Sequence, residues 1–323
     1  MLSQTAAQLL KQLAAEGVSP WLVATGAREI LPASPSCGAA AGLLRGAVAP
    51  AADPVAVRRA CDALRGAFAA SGGQQGRVSV PVDPRAAHDA AALVAAARTA
   101  SGEVGRPNLL IRVPATTAGL SAMADCLAMS ISVHADLVFS AERYEEFLDA
   151  YLTGMERALA AGRPLGRITA SASVPVGVLD AEVDSRLPEA ANPDGPAAGV
   201  RGTAAVALAR QLHRLREQRL GGDWWRVLRA AGAEPPLLVW TGVGPWHVGE
   251  LVGWNTAQAA SLEVLEAAGA RGGLRGDTLL NAHGEARRAL AALEGLGVRM
   301  RDVAQDLEAA ELSRLRQAWP FTS

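Results

Sequence analysis

NLLIRVPATT (108–117) and SISVHADLVF (130–139) decide the fold. Each begins as an apolar, β-rich run, and each changes character at its C-terminal end. With a side-chain period of two, Leu110 and Arg112 share one face of the first run, opposite Leu109, Ile111 and Val113. In the second, Ser132, His134 and Asp136 share a face, opposite Ile131, Val133, Ala135 and Leu137. Polar groups on one face near the strand ends suit a closed parallel barrel, whose active sites form at the C-terminal face. Working outward, PWLVAT (20–25), RVSVPV (77–82), RITASASV (167–174) and PLLVWT (236–241) read as further strands.

Helical patterns separate these runs. Residues 89–100 contain no helix breaker, and 142–160 place Phe147, Leu148, Tyr151, Leu152 and Met155 on one side. Residues 204–220 and 284–296 add two more helices, and Asp83-Pro84, Thr116 or Thr117, and Ser140 are candidate caps. Alternating strands and helices call for a parallel α/β architecture. A doubly wound nucleotide-binding sheet is disfavoured, because neither GxGxxG nor GxxxxGK[ST] follows an early strand. The expectation is a single (β/α)8 TIM barrel domain over residues 1–323, with additional N- and C-terminal helices. LPEAANPDGPAAGVRG (187–202) reads as a long surface loop within it.

Composition narrows the function. The 323 residues are 50% hydrophobic and 20% charged with a net charge of -1, which argues against nucleic acid or an anionic membrane as partner. Cys37, Cys61 and Cys126 are too scattered for a disulfide scaffold or a CxxC metal site, and suit a reducing cytoplasm. MLSQTAAQLLKQLAAEG (1–17) lacks the plan of a signal peptide, and no run of about 18 apolar residues exists. Lys11 is the one lysine; every other residue in the Lys+Arg total of 31 is arginine. Codon bias accounts for most of that, but any catalytic amine must be Lys11.

Longer motifs carry a family resemblance. RPNLLIRVPATTAGLSAM (106–123), ISVHADLVFSAERYEEFLDAYLTGMERAL (131–159) and GRITASASVPVGVLDAEVDSRL (166–187) resemble transaldolases. VSVPVDPRAAHD (78–89), ELVGWNTAQAASLEVLEA (250–267) and RGDT (275–278) follow in the same order. The resemblance implies a transaldolase-type barrel in which a fourth-strand lysine forms a Schiff base with a ketose phosphate. Where that family reads LIKIPAT, this chain reads LIRVPAT, with Arg112 at the lysine position. The family's first-strand aspartate aligns with Val23, the asparagine of its TSNP motif with Ser34, and its third-strand glutamate with Pro81. Its fifth-strand Asn and Thr become His134 and Asp136, while Ser173 is retained. Its phosphate-binding arginine aligns with Val178, and a serine and lysine around the seventh strand align with Trp240 and Gly244.

A guanidinium cannot condense to an imine near neutral pH. The resemblance therefore leads to an expectation of lost Schiff-base chemistry and lost phosphate recognition. The repurposed barrel would act on a small anionic or aromatic metabolite in a specialised pathway. A non-catalytic pseudoenzyme and a lysine-free aldol transfer are the alternatives. Arg112 is either an internal partner of Asp136 or Asp83, or an anchor for a ligand oxyanion. His134 and Asp136 are candidates for an acid–base pair, and Ser173 stands beside them. Ser34, Asp83, Trp240, Trp246 and His247 are candidate substrate contacts, the tryptophans by stacking or merely by filling space. Trp224-Trp225 reads as a core or interface patch. No cofactor and no metal are called for, a small-molecule ligand is the expected partner, and a homodimer fits the reading.

Overall fold

A computed structural model describes residues 3–23, 42–50, 52–187, 197 and 199–319. Eight parallel strands close into a barrel in chain order. They are β1 (Val18–Val23), β2 (Gly46–Val48), β3 (Arg77–Pro81), β4 (Leu109–Pro114), β5 (Val133–Asp136), β6 (Ala170–Pro175), β7 (Leu237–Thr241) and β8 (Thr256–Ala260). The ring closes between β1 and β8, where Val18 stands opposite Thr256, and on the β4–β5 pair Arg112 stands opposite His134. Parallel neighbours need crossovers, which the helices supply. These are α1 (Gln4–Ala15), α2 (Pro54–Ala63), α3 (Arg65–Ala70), α4 (Ala90–Val104), α5 (Thr117–Ala128), α6 (Ala141–Ala160) and α7 (Val176–Arg186). They continue as α8 (Ala204–Leu220), α9 (Asp223–Ala230), α10 (His247–Glu250), α11 (Leu262–Gly269), α12 (His283–Gly295) and α13 (Met300–Ala318). The (β/α)8 barrel expected from the sequence is the observed fold.

The local signals act as anticipated. Ser140 accepts from the Arg143 amide and starts α6; Thr116 accepts from the Gly119 amide and starts α5. Asp83 caps only a single 3-10 turn, Pro84–Ala86. On α6, Phe147, Leu148, Tyr151 and Met155 are buried, and Gly154 lets α5 approach, since a Cβ there would lie 2.8 Å from Leu127. Most of loop 187–202 lies outside the described residues.

Two cores result from the strand alternation. Outward residues such as Val80, Ile111, Val133, Val174 and Trp240 pack with helix residues including Leu93, Met123, Phe147 and Leu212. Inward residues form a smaller cluster of Trp21, Val48, Leu110, Val239, Ala257 and Ala259. Trp21 does most of the filling. Its indole occupies the space that a side chain at Gly46 would need, 2.5 Å from an ideal Cβ, and stands edge-on to His134 with ring centroids 6.1 Å apart.

The outer core holds buried polar groups without a partner among the described residues, the Tyr144 hydroxyl among them. Tyr144 is fully buried and stacks on Phe147, but its hydroxyl finds no partner among the described residues. Tyr144→Phe removes a desolvated donor without opening a cavity. It is expected to stabilise the fold by about 1 kcal/mol, read as a higher urea midpoint at unchanged slope.

Candidate active site

The mouth of the barrel is built where β4, β5 and β6 end. Arg112 points inward from β4, with 14% of its side chain exposed, and Asp136 points inward from β5 with 19%. The Arg112 Nε lies 3.7 Å from Asp136 Oδ2, and its Nη2 donates to the Ala49 carbonyl just beyond β2, at 2.8 Å. Asp136 Oδ1 accepts from the Ser173 hydroxyl of β6 at 2.5 Å and from the Leu137 amide at 2.9 Å. Leu137 takes a φ of +67°, an uncommon conformation for a branched residue, and this turns the chain so that its amide faces the carboxylate. Burial draws the Arg112 guanidinium below its usual range, and the Asp136 charge opposes that shift. A cation, a carboxylate and a hydroxyl are thus hydrogen-bonded or paired in one line across three adjacent strands.

A cavity of about 130 Å³ lies over this group, lined by Pro50, Pro81, Arg112, Asp136, Leu315 and Trp319, among others. Its outer wall is the end of α13, held by a bond from Arg316 Nε to the Pro84 carbonyl at 3.3 Å. The sequence reading had no signal for this cover, because nothing in the pattern of α13 says where the helix docks. The Ala49 carbonyl was missed for the same reason.

Other candidates stand elsewhere. His134 is inward-facing as its alternation required, but it is fully buried beside Trp21 and neither ring nitrogen has a partner among the described residues. Burial pushes its pKa down to about 4, so the ring is neutral at physiological pH. It makes no hydrogen bond to Asp136, and the expected acid–base pair is not assembled. Asp83 is engaged by Arg85, whose Nε donates to it at 2.9 Å, rather than by Arg112. Ser34 and Cys37 lie outside the described residues. Cys61 and Cys126 are buried thiols, pushed up to about 12 by burial, and are unreactive.

The tryptophans do not converge on the mouth. Trp240 is fully buried in the outer core, because its parity on β7 is opposite to that of Val239. Trp254 sits just before β8, at the N-terminal end of the barrel. Trp246 stacks on His247 at 4.0 Å between ring centroids and lines a cavity of about 570 Å³ on the barrel's flank. That cavity is larger than the one over the mouth, but it contains none of the mouth's polar groups. His247 accepts from the Gly244 amide at Nδ1, which fixes the turn before α10, and meets Asp180 of α7 through Nε2 at 2.9 Å, so both nitrogens are engaged. Trp225 is buried and Trp224 is 47% exposed, so that pair is divided between core and surface. Among the described residues no three His, Cys, Asp or Glu gather for a metal, and no helix is long and apolar enough to cross a membrane.

Comparison with known proteins adds to this geometry. Residues 48–321 match the family model described as Transaldolase/Fructose-6-phosphate aldolase. The chain is 42% identical over 271 residues to Transaldolase 1 of Streptomyces coelicolor, covering 81% of this chain and 71% of that protein. It is 40% identical to the transaldolase of a Parafrankia species, with 81% and 73% covered, and 39% identical to that of Thermobifida fusca, with the same shares. These relatives overturn the expectation that transaldolase chemistry and phosphate recognition were lost, and with it the repurposed-enzyme and pseudoenzyme readings. That expectation weighed single site positions above the long collinear match that surrounds them. With the closed barrel and this match over most of its length, the chain belongs to the transaldolase/fructose-6-phosphate aldolase family.

Proposed function

We propose that this protein catalyses transaldolase-type transfer, moving a fragment of a ketose phosphate donor to an aldehyde acceptor at the barrel mouth. The observation that carries the reading is the match at about 40% identity to proteins named transaldolase. The Arg112–Asp136–Ser173 group at the strand ends supports it. We further propose that the transfer runs without a lysine imine, because position 112 is arginine and the one lysine, Lys11, is exposed on α1.

The chemistry then rests on charge placement. The bond that breaks joins the donor's α- and β-carbons; its electron pair moves onto the α-carbon and spreads to the carbonyl oxygen. Arg112 stabilises that oxyanion. The proton on the β-hydroxyl passes to the carboxylate of Asp136, which Ser173 holds in place, and the first aldehyde leaves. The α-carbon next attacks the acceptor's carbonyl carbon, and the stored proton returns to the new alkoxide.

The test is turnover by the native chain with fructose 6-phosphate and an aldose phosphate acceptor, with released aldehyde phosphate followed by a coupled dehydrogenase. Transfer above the uncatalysed rate is expected, and its absence overturns the activity. Borohydride added during turnover is expected to leave the intact mass unchanged. A stable adduct on Lys11 overturns the imine-free route without touching the activity.

A further inference from the structure

We propose a second ligand site, for a small molecule bearing a phosphate or carboxylate group, at the N-terminal end of the barrel and centred on Arg77. A cavity of about 250 Å³ opens there, lined by residues that include Arg45, Gln75, Arg77, Ser171 and Trp254. Arg77 is the first residue of β3, two before Ser79, while Val78 and Val80 of the same strand belong to the outer core. Alternation therefore turns Arg77 inward, at the end of the barrel opposite Arg112.

Arg77 is 2% exposed, yet its Nε and Nη1 have no hydrogen-bond partner among the described residues. Its close companion is the Phe68 ring, 5.3 Å from the guanidinium carbon to the centroid. Burial draws its pKa down to about 10, and among the described residues no carboxylate offsets that, in contrast to Arg112 beside Asp136. A buried cation with unmade hydrogen bonds is costly unless something pairs with it. The Ser171 hydroxyl, lining the same cavity, is likewise without a partner.

An anionic group entering the cavity supplies what both lack. Phosphate and carboxylate oxygens match the guanidinium fork, and a serine hydroxyl donates to the same oxygens. Arg45 adds positive charge at the wall; its Nη1 is already tied to the Gly42 and Leu44 carbonyls, which fixes the side chain in place. Trp254, 69% exposed at the rim, offers a flat apolar surface to a ligand's carbon frame. The volume limits the occupant to a small metabolite. This cavity and the one at the mouth share no lining residue, so the two sites are separate.

Calorimetric titration of the full chain at low ionic strength tests the site, with inorganic phosphate and acetate as probes in separate arms. Saturable binding of one of them is expected, and which one binds distinguishes a phosphoryl from a carboxyl ligand. Arg77→Met is expected to weaken that binding about tenfold or more, Arg77→Lys less, and Arg112→Met hardly at all. Arg45→Gln, at a half-buried wall position, is expected to weaken it about threefold and keeps the test open should Arg77→Met fail to fold. Failure of both anions to saturate overturns the proposal. So does binding that Arg112→Met abolishes while Arg77→Met and Arg45→Gln leave it unchanged.

Discussion

Arg112→Met is expected to lower kcat/KM for transfer by about 10²- to 10³-fold, with the thermal midpoint held within a few degrees. Methionine nearly fills the volume of the arginine stem, so the wall that position 112 shares with Pro81 and Pro114 at the mouth keeps its bulk. What is lost is the cation 3.7 Å from Asp136, and with it the charge opposite a developing oxyanion. The bond to the Ala49 carbonyl also goes, at a cost of about 1 kcal/mol in stability. Asp136 keeps its bonds from Ser173 and Leu137, so the carboxylate stays oriented. The loss should therefore fall mainly on kcat, the signature of an interaction made in the transition state. Arg112→Lys keeps charge without the fork and should fall between the two. A methionine variant within about threefold of the native rate would place the oxyanion elsewhere.

The barrel was legible because six of its strands carry apolar, β-branched runs with a clear period. The two missed strands show why a period is needed. β2 is three residues long, GAV, too short for any alternation to show. β8 reads TAQAA, where no large side chain marks the buried faces, although all five residues are buried. Both are specified by register with their neighbours, which is a tertiary property. Strand boundaries were less exact for the same reason: the 130–139 run contributes only Val133–Asp136 to the sheet.

The site was legible in part. Parity put Arg112 and Asp136 on inward faces, the family resemblance supplied Ser173, and register brings the three strands together. The same parity, applied to RVSVPV, places Arg77 inside, at the end of the barrel opposite the one where barrel active sites form. Trp240 falls in the outer core rather than at the mouth, because strand alternation gives the inward face to Val239. Depth was invisible: His134 and Asp136 share a face, but only the structure shows Trp21 beside the imidazole, sealing it from solvent.

That seal has a measurable consequence. Replacing His134 by leucine is expected to remove an acid-sensitive component of stability worth about 3 kcal/mol. In the unfolded chain a histidine titrates near the ordinary value of 6.5, whereas in the barrel burial holds it to about 4. Between those values the unfolded state binds a proton that the folded state refuses. The native protein therefore loses stability as pH falls from about 6.5 to about 4, and regains it above. Two charges face the ring, Asp136 favouring protonation and Arg112 opposing it, and neither outweighs desolvation. Leucine has similar bulk and no unmet hydrogen bonds, so at pH 7.5 the variant should be as stable as the native chain or more so. Urea unfolding of both proteins at pH 7.5 and 5.0 isolates the effect, since the remaining carboxylates titrate alike in each. The stability difference should grow by about 2 kcal/mol in favour of leucine on acidification. Parallel curves across the two pH values would mean that the imidazole reaches solvent or a proton donor in the folded state.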